Sequence, residues 1–199
     1  KQALEIGFSF QRDHGIAQKA VVFTESKRTQ KYIAEELRKS GYSGEDILLF
    51  NGGFDDAMSK EIYQAWQAKN YGNANYGRSV EYKHAIVDYF KEHAKILICT
   101  DAGSEGLNLQ FCNTVINYDL PWNPMKIEQR IGRCHRYGQQ NDVVAINLLN
   151  TQNEADKRVY EILSKKFELF EGVFGASDIA LGALESGTSF EKMVLDIYQ

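Results

Sequence analysis

Residues 123–136 carry the side chains whose spacing is best suited to binding phosphate. Asn123 can cap a helix, and the proline that follows it suits the first helical turn. If this helix continues to residue 136, Gln129, Arg133 and Arg136 fall at i, i+4 and i+7 and share one face. Guanidinium groups beside an amide are well placed to donate hydrogen bonds to phosphate oxygens. The same spacing also fits a solvated basic face, and spacing alone favours that alternative.

Small, polar and acidic residues also follow directly after the predicted strands. They are Thr24-Glu25-Ser26, Asn51-Gly52-Gly53, Thr100-Asp101-Ala102-Gly103 and Asp119-Leu120-Pro121-Trp122. In an open parallel sheet, ligands bind beyond the carboxyl ends of the strands. A nucleotide or a phosphate backbone would therefore meet these loops. The alternative is that they are only turns and helix caps, and the sequence leaves both interpretations open.

The elements that must position these loops alternate along the chain. Short apolar runs predict strands that are buried on both faces, at residues 20–24, 47–50, 96–100, 114–118 and 143–149. Amphipathic stretches separate them, and Ser26 and Gly41 are placed to cap the helix between the first two strands. This alternation predicts an α/β fold with a parallel sheet sandwiched by helices.

Three further segments complete the predicted organisation. Residues 1–15 indicate a helix that ends at Gly15, and residues 70–82 are polar, aromatic and glycine-containing, which predicts an inserted surface loop. Residues 154–199 have an entirely helical pattern. We therefore divide the chain into a domain at residues 1–150 and a helical extension at residues 151–199 that braces it.

One glycine pattern resembles an ATP-binding loop but lacks its chemistry. Residues 72–79 have the glycine spacing of a Walker A loop, but Arg78 stands where the phosphate-binding lysine belongs and no predicted strand precedes it. The apolar run that ends in Asp119 resembles a Walker B strand. Without a Walker A partner, we interpret Asp119 as a turn residue at the end of a strand. The sequence therefore predicts that this chain lacks the parts that hold ATP and Mg²⁺.

The net charge, the cysteines and the apolar runs bear on whether the chain binds nucleic acid, contains disulfides or zinc, or crosses a membrane. The net charge of −4 neither requires nor excludes binding to nucleic acid. Cys99, Cys112 and Cys134 show no paired spacing, which argues against a disulfide framework and a zinc site and favours a reducing setting. No apolar run approaches the ~18 residues that cross a membrane, and the first ten residues do not resemble a signal peptide. We expect no bound metal in this chain, no membrane and a cytoplasmic location.

Longer motifs make the sequence similar to a known family. The segment QRIGRCHRYGQ at residues 129–139 closely resembles motif VI of the Swi/Snf helicases, and ILICTDAGSEGLNLQ at residues 96–110 resembles motif V. Residues 19–29 resemble motif IV, and NYDLPWNP at residues 117–124 is typical of the segment before motif VI. The motifs come in the family's order, and their residues most resemble those of the bacterial RapA-like branch of superfamily 2.

The resemblance implies a RecA-like fold and a role for each matching residue. Motors of this family bind ATP between two RecA-like lobes, and motifs IV to VI belong to the second lobe. Arg133 and Arg136 would be arginine fingers that reach the ATP phosphates. The residues implied near the nucleotide are Gln129, Gly106, Glu105 and Asp101, the last of which could also lean towards the nucleic acid. The residues implied at the nucleic-acid backbone are Thr24, Ser26, Arg28, Gly52, Gly53 and Thr100.

The resemblance also implies the cofactors and partners of the complete protein. These are ATP and Mg²⁺ held mainly by the first lobe, double-stranded DNA, and the N-terminal RecA-like lobe of the same protein, in a bacterial cytoplasm or nucleoid. Ser104-Glu105 replaces a glycine pair of many eukaryotic remodellers, so roles specific to remodellers are not expected. The alternatives are an RNA helicase lobe of the same superfamily and a degenerate RecA-like scaffold. The pattern of Arg133, Arg136, Gly138 and Gln139 favours the Swi/Snf branch.

Overall fold

A computed structural model of the protein describes residues 1–53, 57–70, 77–135, 139, 141–150, 152–154 and 156–162. Its centre is a five-stranded sheet in which all neighbouring strands run parallel, in the order β2-β3-β1-β4-β5. The strands are β1 (Ala20–Thr24), β2 (Ile47–Phe50), β3 (Ile96–Thr100), β4 (Thr114–Asn117) and β5 (Val144–Asn147). The predicted parallel sheet is therefore confirmed, with β4 and β5 slightly shorter than their apolar runs.

Helices precede, connect and cover these strands. They are α1 (Gln2–Asp13), α2 (Lys27–Lys39), α3 (Ala57–Lys69), α4 (Arg78–Glu92), α5 (Asp101–Ser104) and α6 (Pro124–Ile131). The Ser26 hydroxyl accepts hydrogen bonds from two backbone amides in the first turn of α2. Gly15 and Gly41, which follow α1 and α2, adopt φ values of 66° and 103°. Both glycines therefore end their helices in a left-handed conformation, as the sequence predicts.

Each face of the sheet is covered by its own apolar layer. Alternate side chains of a strand point to opposite faces. Val21 and Phe23 of β1 belong to the layer under α3 and α4, whereas Ala20 and Val22 belong to the layer under α1 and α2. The strands read as unbroken apolar runs because both of their faces are buried. The predicted helix–sheet–helix sandwich is confirmed.

The strand order brings three strand ends together. β1 lies at the centre, between β3 and β4, and Thr24 pairs with Thr100 while Phe23 pairs with Asn117. Because these strands are parallel, the loops that follow them leave the same edge of the sheet. The crossover of the chain at β1 therefore gathers the loops after residues 24, 100 and 117 into one region.

The surface loop predicted at residues 70–82 is wrong over its C-terminal part. α4 begins at Arg78, and Tyr82 is only 2% exposed within the core under α3 and α4. Tyr82, Ala85, Ile86 and Phe90 form the buried face of one helix, so the apolar period begins four residues before the predicted helix. Residues 71–76 lie outside the described part of the chain. The segment before them is the helix α3, so this glycine pattern lacks the preceding strand of a Walker A loop, in agreement with the sequence interpretation.

The start of the predicted extension packs on α6. Residues 156–162 are helical, and Val159 is buried in a small cluster with Leu120, Ile127 and Leu149. Residues 163–199 lie outside the described ranges, so the extent of the extension and the boundary at residue 150 stay predictions. None of the helices within the described ranges is long and apolar enough to cross a membrane.

Candidate nucleotide cleft and nucleic-acid face

The helix α6, which carries several of the predicted site residues, has a side-chain cap at its N-terminus and a glycine at its C-terminus. The Asn123 side chain accepts a hydrogen bond from the Met125 amide at 3.0 Å, and Pro124 begins the helix. Ile127 is completely buried, which fixes the rotation of the helix against the core. The helix ends at Ile131 with Gly132 as its C-terminal cap. The predicted N-terminus of this helix is confirmed.

The row of Gln129, Arg133 and Arg136 required a helix that continues to residue 136, and this condition is not met. α6 stops at Ile131, and Arg133 lies in the turn that follows, where its amide donates to the Arg130 carbonyl at 3.1 Å. The Arg133 carbonyl accepts a hydrogen bond from the Leu109 amide at 2.9 Å, which ties this turn to the end of motif V. The chain leaves the helical path after Ile131, and the following turn pairs with another loop. Arg136 lies outside the described residues.

The predicted nucleotide residues nevertheless come together, because tertiary structure replaces the helical row. A cleft of about 290 Å³ lies between residues 101–105, which follow β3, and α6 with the turn after it. Its lining is Asp101, Ala102, Ser104, Glu105, Lys126, Gln129, Arg130 and Arg133. Four predicted residues, Gln129, Arg133, Glu105 and Asp101, therefore share one cleft. Gly106 is the exposed neighbour of Glu105, with φ 79°.

Arg130 is the residue that sequence reasoning missed. It stands inside motif VI, and its side chain is only 2% exposed. Its Nε and Nη2 donate to the two carboxylate oxygens of Asp101 at 2.7 and 3.1 Å, and its Nη1 donates to the Asn117 side chain and the Asp119 carbonyl. The guanidinium also lies 5.4 Å from the centre of the Phe23 ring. A signal was available, because Arg130 lies three residues from Ile127 on the buried side of α6.

Asp101 therefore serves first as the partner of Arg130. Both of its carboxylate oxygens accept hydrogen bonds from that guanidinium, and Lys126 Nζ lies 3.7 Å from one of them. The bidentate pair joins the end of β3 to α6 and positions the two walls of the cleft. Asp101 lines the cleft, and its contact with ATP stays a prediction.

Asp119 organises the end of β1. Its carboxylate accepts a hydrogen bond from the Thr24 hydroxyl at 2.6 Å and from the Glu25 amide at 3.0 and 3.1 Å. This agrees with its interpretation as a turn residue at a strand end. Thr24 is 0% exposed, so its side chain is not open to solvent, and its contact with a nucleic-acid backbone stays a prediction. The Thr24 hydroxyl links the end of β1 to Asp119, which follows β4.

The other residues predicted to contact nucleic acid differ in their solvent exposure. Ser26 and Arg28 are exposed at the start of α2, although the Ser26 hydroxyl is engaged as the helix cap. Thr100 is only 6% exposed, and its hydroxyl accepts a hydrogen bond from the Gly103 amide at 3.3 Å. Thr100 therefore shapes its loop, and contacts of Ser26, Arg28 and Thr100 with nucleic acid stay predictions.

The glycine turn after β2 packs closely against the loop after β3. Gly52 is exposed with φ 83°, a conformation that favours glycine. The Gly53 amide donates to the Asn51 side chain at 3.0 Å, and its carbonyl accepts from the Tyr82 hydroxyl at 2.9 Å. A Cβ atom on Gly103 would lie 2.7 Å from the Phe50 carbonyl oxygen. The two loops fit only because Gly103 has no side chain.

The three cysteines lie in the core and not in the cleft. Cys99, Cys112 and Cys134 are buried free thiols in the layer under α3 and α4. Burial raises the pKa of Cys99, while a hydrogen bond with Cys112, followed by burial, raises the pKa of Cys134. Protonated thiols are poor metal ligands. Within the described ranges, no group of three or more His, Cys, Asp or Glu side chains is arranged to hold a metal ion.

The chain is similar to known helicase proteins in sequence and in fold. The helicase conserved C-terminal domain family matches residues 6–138. The uncharacterized ATP-dependent helicase YqhH of Bacillus subtilis is 38% identical over 182 residues, which cover 92% of this chain and 28% of that protein. The RNA polymerase-associated protein RapA of Vibrio parahaemolyticus is 44% identical over 118 residues, which cover 56% of this chain and 12% of RapA.

A solved structure supports the fold. The crystal structure of the C-terminal part of the Fun30 ATPase domain has a TM-score of 0.56 at 19% identity, over 81% of this chain and 43% of that one. The chain thus spans less than half the length of each of these relatives. The predicted family resemblance and RecA-like fold are confirmed, and the chain belongs to the helicase conserved C-terminal domain family.

Proposed function

We propose that this chain is the second motor lobe of an ATP-dependent double-stranded DNA translocase of the Swi/Snf type. In this proposal, the cleft between the loop after β3 and α6 closes over ATP that a first lobe holds. The observation that carries it is the position of Arg133, which lines the cleft beside Gln129 and opposite Glu105. The similarity to YqhH and RapA supports the same conclusion.

The two arginines of the cleft differ in the chemistry that they offer. Arg130 is buried and paired with Asp101, so its charge is already neutralised. Arg133 is partly buried, and no carboxylate of the described residues forms an ion pair with it. Its guanidinium offers a planar fork of donors to phosphate oxygens and stays charged at working pH. We assign Arg133 the role of arginine finger and predict the same role for Arg136.

The donor set of the cleft fits phosphate better than it fits a metal ion. Asp101 is engaged by Arg130, and Glu105 is the other carboxylate of the lining. We therefore place Mg²⁺ with the first lobe, where it would neutralise charge on the ATP phosphates. Arg133 would stabilise the charge that develops during phosphoryl transfer, and Gln129 would help to position the phosphates. Hydrolysis would then depend on closure of the two lobes.

The exposed strand-end residues support the nucleic-acid part of the proposal. Ser26 and Gly52 are exposed in the turns that follow β1 and β2, and Arg28 is exposed in the first turn of α2. Backbone amides, hydroxyls and one arginine suit sequence-independent contacts with phosphates. An RNA helicase lobe of the same superfamily would use the same contacts, so DNA and RNA are compared in the test below. A scaffold would have no use for a guanidinium in a cleft that has no carboxylate partner among the described residues.

The test is steady-state ATP hydrolysis by the complete protein, with saturating double-stranded DNA or RNA. Arg133→Ala should lower stimulated turnover by at least about a hundredfold, because arginine fingers contribute on the order of 10³ to 10⁵ in rate. Arg133→Lys should restore little, since lysine keeps the charge but loses the fork. The KM for ATP should change much less, because the first lobe holds most of the nucleotide.

Arg38→Ala is the matched control, since Arg38 is exposed near the C-terminal end of α2, away from the cleft lining. It should leave turnover within about twofold. Near-normal turnover in a folded Arg133→Ala variant would remove the arginine finger from the proposal. Stimulation by RNA and not by DNA would favour the RNA helicase alternative.

A further inference from the structure

We propose that Lys83 is a positioning residue of this motor, which holds one peptide of the cleft wall in the orientation that hydrolysis requires. The peptide joins Glu105 to Gly106. The inference rests on the proposed function, because it concerns the same cleft. Lys83 lies on α4, which contributes no side chain to the cleft lining, and it carried no predicted role in the sequence.

Residues 104–107 form a type II β-turn. The Leu107 amide donates to the Ser104 carbonyl at 3.0 Å. Glu105 has φ −59° and ψ 121°, and Gly106 has φ 79°. These are the values of a type II turn, which needs a positive φ at its third residue. The turn therefore forms the end of the cleft wall with Glu105 at its second position.

Lys83 binds the central peptide of this turn. Its Nζ donates a hydrogen bond to the Glu105 carbonyl oxygen at 2.7 Å. The preceding residue, Tyr82, is buried, donates to the Gly53 carbonyl at 2.9 Å and packs edge-on against the Phe50 ring at 5.4 Å. Tyr82 therefore anchors this turn of α4 to the sheet. Lys83 therefore reaches the Glu105 carbonyl from a helical turn whose position is fixed by Tyr82.

The hydrogen bond selects between two forms of the turn. Type II and type I turns differ chiefly by rotation of the central peptide. Because the peptide is planar with its C=O and N–H on opposite sides, rotation would bring the Gly106 N–H to face the ammonium. An N–H dipole facing a positive charge is unfavourable, whereas a carbonyl facing it is favourable. Lys83 thus stabilises the orientation in which the Glu105 carbonyl points to α4 and the Gly106 N–H points away from it.

The first test is kinetic and uses the complete protein with saturating DNA. Lys83→Met keeps the aliphatic stem and removes the ammonium. It should lower kcat roughly tenfold, since small displacements of groups around a reacting centre cost up to about 100-fold. The KM for ATP should stay within about twofold, and Lys83→Arg should restore most of kcat because it keeps a cationic donor. Lys91→Met, an exposed position near the other end of α4, is the matched control and should leave kcat within about twofold.

The second test measures the turn without relying on activity. In Lys83→Met, the peptide that covers residues 104–107 should exchange its amide hydrogens faster than in wild type, while the melting temperature stays within about 3 °C. Gly106→Ala disfavours the positive φ and should reproduce the kinetic loss. Because both changes release the same turn, the double variant should lose little more than either single variant.

Different outcomes identify which inference fails. Normal kcat and unchanged exchange in Lys83→Met, or losses that add fully in the double variant, would overturn the role of Lys83. If Lys83→Met accelerates exchange but Arg133→Ala leaves stimulated turnover intact, the turn is held as described and the proposed arginine finger is wrong.

Discussion

Arg130 and Arg133 are three positions apart, yet their surroundings give them different roles. Arg130 is 2% exposed and donates four hydrogen bonds to Asp101, Asn117 and Asp119. Arg133 lies in the turn after α6, at the cleft, without a carboxylate partner among the described residues. A paired, buried charge contributes to structure, whereas an unpaired charge in a cleft is available to a ligand.

Stability measurements should separate these roles. Arg130→Met should lower the free energy of unfolding by about 3 kcal/mol, because it leaves Asp101 without its partner next to a buried polar cluster. Arg130→Lys should recover part of this loss, since lysine keeps the charge but lacks the bidentate fork. Arg133→Ala should change stability by less than about 0.5 kcal/mol. Urea unfolding of this chain, followed by circular dichroism, checks all three variants.

Equal destabilisation by the Arg130 and Arg133 variants would contradict this division. A folded Arg130→Met variant with unchanged stability would show that the Asp101 pair contributes nothing to the fold. The Arg133→Ala variant serves as the matched control because it removes a guanidinium from the same cleft.

At the scale of elements, polar residues at the strand ends join neighbouring loops. Asp119 accepts a hydrogen bond from Thr24 and so links the end of β1 to the segment after β4. Asp101 pairs with Arg130 and so links the end of β3 to α6. At the opposite edge of the sheet, Asp46 joins the start of β2 to the start of β3. The Asp46 carbonyl accepts hydrogen bonds from the Lys95 and Ile96 amides, and its carboxylate pairs with Lys95 Nζ at 2.9 Å.

The Asp46 carboxylate should make a pH-dependent contribution to stability. Its hydrogen bond with Lys95 holds its pKa below the ordinary value of 3.8, with further hydrogen bonds from Ser43. A carboxyl group whose pKa is lower in the folded state stabilises the fold above the unfolded pKa. That contribution is lost as pH falls through the folded pKa. Asp46 should therefore stabilise the chain at neutral pH and stop doing so in acid below pH 3.8.

The check is the unfolding free energy of Asp46→Asn against wild type as a function of pH. The difference should be up to about 1 kcal/mol at pH 7, because the pair is partly exposed, and should shrink towards acid. Glu35→Gln, an exposed carboxylate on α2, controls for the loss of one negative charge. A difference between Asp46→Asn and wild type that is independent of pH would remove the titration from the explanation.

At the scale of the whole molecule, the proposed function makes this chain one wall of a site that a first lobe completes. It supplies a cleft with Gln129 and Arg133, while the pattern at residues 72–79 lacks both the strand and the lysine of a phosphate-binding loop. A pocket of this kind offers donors to phosphate but no cradle for the triphosphate and its metal ion. Tight nucleotide binding should therefore require the first lobe.

This chain alone should bind Mg-ATP with a dissociation constant no tighter than about 1 mM, and it should not hydrolyse ATP. Isothermal titration calorimetry and a phosphate-release assay measure the two properties. The complete protein provides the positive control for both assays. Micromolar binding or turnover by the isolated chain would contradict the division of the site between two lobes.

The sequence by itself determined most of the elements and four of the residues that line the cleft. The apolar runs, the Ser26 and Asn123 caps and Gly41 follow from local preferences, which act between residues close in the chain. The motif order was enough to name Gln129, Arg133, Glu105 and Asp101, because similar sequences fold alike.

Only the tertiary structure decided where those side chains lie and which groups they contact. The end of α6 at Gly132 moved Arg133 off the predicted helical face, and contact with the Leu109 amide placed it. Thr24 is buried and donates to Asp119, and Arg130 is buried as the partner of Asp101. These outcomes depend on pairs of residues far apart in the chain, such as Thr24 and Asp119. Periodicity and propensity carry no information about such pairs, since they are brought together only by the order of strands in the sheet.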